Sequence, residues 1–435
     1  MHLPVAFLPY TTGGREVYTY GLATALQNNG VENYIVIHQD PSGREPLGTY
    51  TYDGLSVTVL PPLPNFNHPL ARYKKEYETL PGFEEVLDKI QPDIVHFHDQ
   101  GGGASLSHLK VVKNNGYKTI LTYHTPGQSC TQSELRFKGV TVCDGRIDLH
   151  RCTACRLSAV SNLSYTLASA IAAVPINSEA LALQSSKIAK LFSARTKTNL
   201  FIDNFNQFIQ LVDMIHVHAK WVHDMLLLNK IDSHKIFFAA TASISQPQKP
   251  IFKHYGEQDV LKLVFIGRCT FVKGIHILIA AVQKLPSNIR IEVQFWGPYW
   301  DDDFGKQMTA QIENDRRFCK PELVPNHLIK EKLSEIDMVV VPSIWLETGP
   351  LSLFDALSAG VPVIGSRLGG IAEWIQDGKN GLLFEPESSD SLAQVLEKVA
   401  LDKTIINDLK KGLGYIRTMQ DLGNDLEKVY ERLHG

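Results

Sequence analysis

Two carboxylates stand on either side of a Gly-Pro in the stretch ETGPLSLFDALSAG: Glu347 precedes it and Asp355 follows. Taken alone, Glu347 suits the N-terminal cap of a helix and Asp355 a solvated helix face. Two cations, Arg268 and Lys273, occur in GRCTFVKG, at a turn between an apolar strand and a helix. Cations so placed can sit on a diphosphate, with the helix N-terminus adding its partial positive charge, or they can be solvated loop residues. Four cysteines, Cys130, Cys143, Cys152 and Cys155, fall within CTQSELRFKGVTVCDGRIDLHRCTAC, the last two as C-x2-C. Thiolates in that pattern are ligands for a structural zinc ion, with a redox pair or unligated thiols as the other readings, and His150 is a spare ligand. Cys269 and Cys319 are isolated and read as ordinary buried thiols. The run Asp301-Asp302-Asp303 reads as solvated acids rather than a metal site.

The elements that must position these residues alternate between short β-branched strands and amphipathic helices. VAF, YIVIH, LSVTVL, DIVHFH and KTILTYH are strands of the first half. LKLVFIG, IRIEVQFWG, DMVVVPS and VPVIGS are strands of the second. The alternation predicts an α/β fold with parallel sheets covered by helices. In ETGPLSLFDALSAG, Pro350 suits the first helical position, Leu351, Phe354 and Leu357 recur at helical spacing, Gly360 supplies a left-handed cap and Pro362 blocks continuation. The helix then begins just after a parallel strand, which sets the backbone N–H groups of Gly349 and Leu351 at the sheet's C-terminal edge, where ligands of open α/β sheets bind. In GSRLGGIAEWIQDGKNGLLFEP, Gly369 and Gly370 form a loop before a helix carrying Glu373, and DGKNG is a turn before a strand.

At 435 residues the chain is long enough for two domains. Hydrophobic content of 44% with 20% charged residues describes a globular chain, and a net charge of −3 gives no reason to expect a nucleic-acid partner. Residues 1–242 are expected to form the first domain, with a cysteine-rich loop at 130–155 and a helical insert at 158–215. A proline-containing linker follows at 243–260, then a second domain at 261–415 and a C-terminal helix within 416–435, probed by the amphipathic run Leu422–Leu433. No stretch approaches the ~20 apolar residues of a membrane span, and the N-terminus lacks the form of a signal peptide, so the cytoplasm is the expected location.

Together these residues resemble the family 4 retaining glycosyltransferases of the GT-B fold, in which two Rossmann-like parallel-sheet domains face a central cleft. The resemblance rests on GG-x-E at Gly13, Gly14 and Glu16, VHFH at Val95–His98, the strand-end His124, GR-x4-KG at 267–274, and an acid-x7-acid pair at Glu347 and Asp355. It implies that Glu347 lies by the donor sugar and that Asp355 binds the ribose hydroxyls of a nucleotide. Arg268, Lys273 and the helix N-terminus at Gly349, Pro350 and Leu351 would stabilise the diphosphate leaving group, with no divalent metal needed for catalysis. Gly13 and Gly14 would let a first-domain loop approach the phosphates, and His124 would touch the donor sugar. His124 also fits a structural histidine at a strand end, and at least one of His96 and His98 is expected to be structural. The C-terminal helix would return to the first domain. The chain departs from the family pattern in having Asp355 where Glu is usual, and TASIS where a Pro-Asn-Gly turn is usual.

The implied activity is retaining transfer of a hexosyl group from a nucleotide-diphosphate donor, a UDP-sugar by family frequency, to a saccharide or lipid-linked acceptor in surface polysaccharide assembly. The 158–215 insert would cap the first domain or rest on the inner face of the cell membrane. Other readings are a non-catalytic GT-B-like binding or assembly subunit, and a zinc-dependent interaction module in which the cysteine cluster is the working part. A sugar-nucleotide epimerase or a phosphorylase of similar architecture is a further rival, though no pyridoxal-phosphate lysine motif is present.

Overall fold

The computed structural model describes residues 1–101, 103–161, 163–256 and 258–435. Asn162 and Glu257, which fall in the expected helical insert and linker, lie outside them. The chain divides into two compact units, Met1–Ala240 with Gln420–Gly435, and Thr241–Met419.

The first unit is built on an eight-stranded sheet. In chain order its strands are β1 (His2–Pro4), β2 (Tyr34–His38), β3 (Gly48–Tyr52), β4 (Leu55–Leu60), β5 (Ile94–His98) and β6 (Lys118–Tyr123). A separate hairpin, β7 (Arg136–Phe137) and β8 (Thr141–Val142), precedes β9 (Met214–Val217) and β10 (Ile236–Phe238), which complete the sheet. The order across it is β10-β9-β6-β5-β1-β2-β4-β3. All pairings are parallel except the edge strand β3, which runs antiparallel to β4. β5 is buried along its whole length, as a strand covered on both faces must be, whereas β3 is half exposed.

The expected strand VAF is instead β1 at His2–Pro4, directly before it in the chain, in register with His96–His98. Phe7 leaves the sheet and packs against Ile35, Val57 and Val59. The helical insert begins earlier than expected, with helix Leu149–Ser161 carrying the C-x2-C, and continues through four further helices to Leu211. The C-terminal helix runs Met419–His434. It packs Val429, Tyr430 and Leu433 against Ile94 and Ile120 of the first unit, and Asn29 donates to Glu427 at 2.6 Å.

The second unit holds five parallel strands, β11 (Leu261–Ile266), β12 (Ile291–Trp296), β13 (Met338–Val341), β14 (Val363–Ser366) and β15 (Gly381–Phe384), ordered β12-β11-β13-β14-β15. The chain steps from β11 to β12 on one side and then returns to β13 on the other. The loops after β11 and β13 therefore splay in opposite directions and leave a crevice at their C-terminal ends. The first unit repeats the device between β1 and β5. The described residues of the stretch 243–260 form no helix or strand, yet they are pinned to the second unit: Gln248 N–H donates to Ser358, Lys253 pairs with Asp337 at 3.1 Å, and Tyr255 donates to the same carboxylate.

Candidate active site

Both sides of the β11/β13 crevice carry charge. After β11, Gly267 and Arg268 lead to a short turn at Phe271–Lys273, and Gly274 opens helix Ile275–Lys284. Gly274 has φ +72°, and a Cβ there would lie 1.8 Å from the carbonyl oxygen of Pro342, so only glycine fits. That close approach, with the 2.9 Å bond from Ile344 N–H to the Val272 carbonyl, fixes the turn after β11 against the loop after β13.

The result is an ion pair. Lys273 Nζ donates to Glu347 Oε1 at 2.7 Å, and Ser343 Oγ donates to the same oxygen at 2.8 Å. The Glu347 side chain is 8% exposed and that of Lys273 20%. Burial pushes the Glu347 carboxyl up, but the Lys273 ammonium and the hydrogen bonds outweigh it and hold the group below the usual carboxylate range. Glu347 is thus an ionised acceptor at neutral pH. Lys273 also faces the ring of Trp345, 5.7 Å from its centroid. Arg268 is exposed and its guanidinium lies 6.0 Å from the Tyr299 ring centroid.

The loop holding Glu347 is backed by the start of helix Gly369–Trp374. Gly370 N–H donates to the Glu347 carbonyl at 2.8 Å, and a Cβ on Gly370 would meet that oxygen at 2.8 Å and Thr348 at 3.0 Å. The Gly-Gly pair therefore lets this helix end lie directly on the acid's backbone. At Gly349 a Cβ would strike Thr241 at 2.6 Å. Helix Leu351–Ser358 starts one residue later than expected, with Pro350 as its extended N-cap, and Gly360 ends it at φ +75°. Leu353, Phe354, Ala356 and Leu357 face the core, and Phe354 meets Trp374 edge-on at 4.8 Å. Asp355 lies on the other side. Its carboxylate has no side-chain partner among the described residues, and burial pushes its pKa up to about 7. A half-buried carboxylate without a partner is poised to accept hydroxyl groups. Of the acids at 301–303, Asp302 caps helix Asp303–Ile312 by accepting from Gly305 N–H at 2.7 Å.

The first unit's switch point is charged too. Gly13 is the N-cap of helix Gly14–Asn28, and a Cβ on it would lie 2.5 Å from a Glu16 carboxylate oxygen. Arg15 reaches from this helix to Asp99 at the end of β5, with a 2.8 Å bond that Thr125 Oγ1 joins at 3.0 Å. Neither Arg15 nor Asp99 stood out in the sequence. Their only signal was position, directly after two strands that flank the reversal in strand order. His124, at the end of β6, is buried, with Nε2 3.4 Å from His98 Nδ1 and its ring edge-on to Tyr18 at 4.8 Å. Burial, then nearby His218 and Arg15, hold it well below the usual histidine range, so it is a neutral imidazole. His96 is structural: its nitrogens bond Tyr430 and Thr122, each at 2.6 Å. Cys269 is buried as expected, whereas Cys319 is only partly covered.

Residues 12–151 match the family described as Glycosyltransferase Family 4, and residues 248–413 match the family described as Glycosyl transferases group 1. The chain belongs to the family 4 glycosyltransferases. The two matched stretches carry the two switch points, Arg15 with Asp99 in one and Lys273 with Glu347 in the other. Across the whole chain the fold is similar to that of the Anabaena protein HepE, solved in complex with UDP, at 13% identity, TM-score 0.60 and full coverage of both chains. The same protein with UDP and glucose matches at 14% identity and TM-score 0.61, covering 99% of each chain. Among curated relatives, an uncharacterized glycosyltransferase of Methanocaldococcus jannaschii is 28% identical over 181 residues, 40% of this chain and 46% of that protein. A Salmonella typhimurium protein named for colanic acid biosynthesis is 28% identical over 141 residues, 31% and 34% of the two chains. The chain thus spans under half the length of these curated relatives. No helix among the described residues is long and apolar enough to cross a membrane.

Proposed function

We propose that this family member is a retaining glycosyltransferase that moves a sugar from a nucleotide-diphosphate donor, a UDP-sugar, to a saccharide or lipid-linked acceptor. The observation that carries the reading is the buried Glu347, gripped by Lys273 and Ser343 just before a helix whose half-buried acid, Asp355, has no side-chain partner among the described residues. A sugar nucleotide has two hydroxyl-rich ends joined by a diphosphate. Asp355 accepts from the ribose, Glu347 orients the donor sugar, and the backbone N–H groups at Gly349 and Leu351 face the phosphates. As the bond from the anomeric carbon to the diphosphate breaks, negative charge grows on the leaving oxygen, and Arg268 and Lys273 stabilise it. The role of His124 towards the donor sugar, and of Gly13 and Gly14 towards the phosphates, is supported by the family resemblance. The UDP bound to HepE and the colanic acid name of the Salmonella relative support the donor and a place in surface polysaccharide assembly, which would bring the protein to the inner face of the cell membrane.

The test is a thermal-shift panel of UDP, GDP, ADP and their common sugars, on wild type, Arg268→Ala and Lys273→Ala. A ligand at a hundredfold excess over its Kd raises stability by ~2.7 kcal/mol, which is readily seen. UDP compounds should shift wild type and not Arg268→Ala, and either substitution should lower kcat by roughly 10²–10³-fold. The free proteins should differ. Arg268→Ala, at an exposed site, melts like wild type, whereas Lys273→Ala leaves Glu347 buried without its cation and melts earlier, at a cost of roughly 3 kcal/mol. No shift with any nucleotide would overturn the reading.

A further inference from the structure

The glycosyl-transfer reading leaves the four clustered cysteines without a role. Cys130, Cys143, Cys152 and Cys155 come from three different local structures: the turn after β6, the strand end of the β7–β8 hairpin, and the first turns of helix Leu149–Ser161. All four border one small cavity of about 30 Å³. That is room for one or two water-sized spheres, so it suits a single ion and not an organic ligand. None of the four is in a disulfide.

Hydrogen-bond donors and a guanidinium surround the sulfurs. Lys138 N–H points at Cys155 Sγ at 3.1 Å, and Gln132 Nε2 donates to the same sulfur at 3.0 Å. Arg151, anchored to Asp144 at 2.6 Å, stands within electrostatic reach of Cys143, Cys152 and Cys155. N–H groups aimed at sulfur and a nearby guanidinium offset the net charge that four thiolates leave on a divalent ion.

The loop has little regular structure of its own, though Ile147 N–H donates to Asn229 at 2.8 Å and Arg136 donates to Val140 at 2.6 Å. Between Cys130 and Leu149 its only regular structure is a hairpin with two residues in each strand. Ser133, Leu135 and Lys138 all have φ between +49° and +65°, which costs a non-glycine residue free energy that other contacts must offset. Leu135 is the only fully buried aliphatic side chain of that stretch. A loop this long, strained and poor in core is one that a cross-link would stabilise.

We infer that Cys130, Cys143, Cys152 and Cys155 form a closed four-thiolate site for a structural zinc ion that cross-links the 130–155 loop to the C-x2-C helix. The inference stands apart from the transferase reading. A rival set of ligands is the buried trio His2, His96 and His98, whose ring nitrogens lie within 4.8 Å of one another. Those nitrogens are already engaged, His2 with His98 and Asn33 at 2.9 Å each, His96 with Tyr430 and Thr122, and His98 with His124. Among the described residues no three cysteine sulfurs are as close as the histidine nitrogens, so the proposed site requires the four side chains to turn inward on the ion. Cys130, Cys143 and Cys152 are only partly covered.

The test uses the full chain, purified from zinc-supplemented medium. Elemental analysis should find one zinc per chain, and thiol titration of the native protein should leave the four clustered thiols protected until the metal is removed. Cobalt substitution should give the thiolate-to-metal charge-transfer bands and d–d bands of a tetrahedral four-sulfur site. Chelation should make the loop a trypsin target at Arg136, Lys138, Arg146 or Arg151 while the nucleotide-induced thermal shift persists. Cys143→Ser should lose the cobalt spectrum and Cys269→Ser should keep it. Four results would each overturn the inference: no metal with all thiols reactive, no metal with the four thiols oxidised to disulfides, an iron–sulfur chromophore, or a cobalt spectrum of nitrogen ligation that survives Cys143→Ser.

Discussion

Asp355 and Glu347 are carboxylates on neighbouring turns of chain, and their surroundings push them in opposite directions. Glu347 has a lysine at 2.7 Å and stays ionised. Asp355 has burial and no compensating partner, and its pKa rises to about 7. Two consequences follow at opposite sign. In the proposed complex the ribose hydroxyls bind the ionised form, so affinity for a UDP-sugar should rise as pH passes upward through about 7 and fall below it. Stability of the free protein should run the other way. A carboxyl raised from ~3.9 in the unfolded chain contributes its full stability below that value and loses it as pH climbs through the folded pKa. Because the side chain keeps some contact with water, the loss should be on the order of 2 kcal/mol rather than the full value of the shift. Asp355→Asn should flatten both profiles, which calorimetry between pH 5 and 8 would check. A variant with the wild-type pH dependence would show that another group titrates. This divergence could not be read from the residues. The acid-x7-acid spacing marked both positions, but nothing in the sequence told which acid has the cation, because Lys273 approaches from a loop 74 positions away.

Strand order and glycine placement bring those loops together. The alternation of strands and helices made the parallel sheets legible in the sequence, since strands such as Met338–Val341 are apolar throughout. The strand order was not legible, because it depends on which side of β11 the chain returns to. Arg15 and Asp99 were missed for that reason: each is an ordinary polar residue until β1 and β5 become neighbours. The position of β1 was also out of reach, because it is set by register with His96–His98 and not by its own composition. Gly274 shows how firmly the element scale controls the site. It combines left-handed backbone with a Cβ position 1.8 Å from Pro342 O, and the bond from Ile344 N–H to Val272 passes beside it. Gly274→Ala should force the turn after β11 away from the loop after β13. The expected cost is roughly 3 kcal/mol or more, with loss of the Lys273–Glu347 pair and therefore of the nucleotide-induced shift. Gly116→Ala, at a left-handed glycine with open space around it, carries only the backbone strain and should leave nucleotide binding intact. If the two variants behaved alike, the contact with Pro342 would not be what matters.

At the scale of the whole molecule, the chain passes between units twice, at Ala240–Thr241 and at Met419–Gln420. Inside the second unit these two points are stitched side by side: Ser243 N–H donates to Arg417 at 2.8 Å and Met419 N–H donates to Ser243 at 3.0 Å. The unit therefore begins and ends at one place. It has its own packed interior on both faces of the sheet, one around Leu263, Ile279 and Phe295 and the other around Val339, Phe354 and Ile371. The stretch 243–260 is tied to that interior, since Lys253 and Tyr255 donate to buried Asp337. Arg268, Lys273, Glu347 and Asp355 all lie within it. A fragment cut at Thr241 and Met419 should consequently fold cooperatively and bind UDP with a Kd within about tenfold of the full chain, while transferring no sugar. The same fragment cut at Leu261 should melt lower, because it strips Asp337 of Lys253 and Tyr255 and leaves a buried acid with Lys262 N–H as its remaining donor. Titration calorimetry with UDP on both fragments and the full chain distinguishes the outcomes. A 241–419 fragment that melts cooperatively yet binds no UDP would mean that the nucleotide site needs residues of the first unit, and Arg15 with Asp99 would be the first pair to substitute.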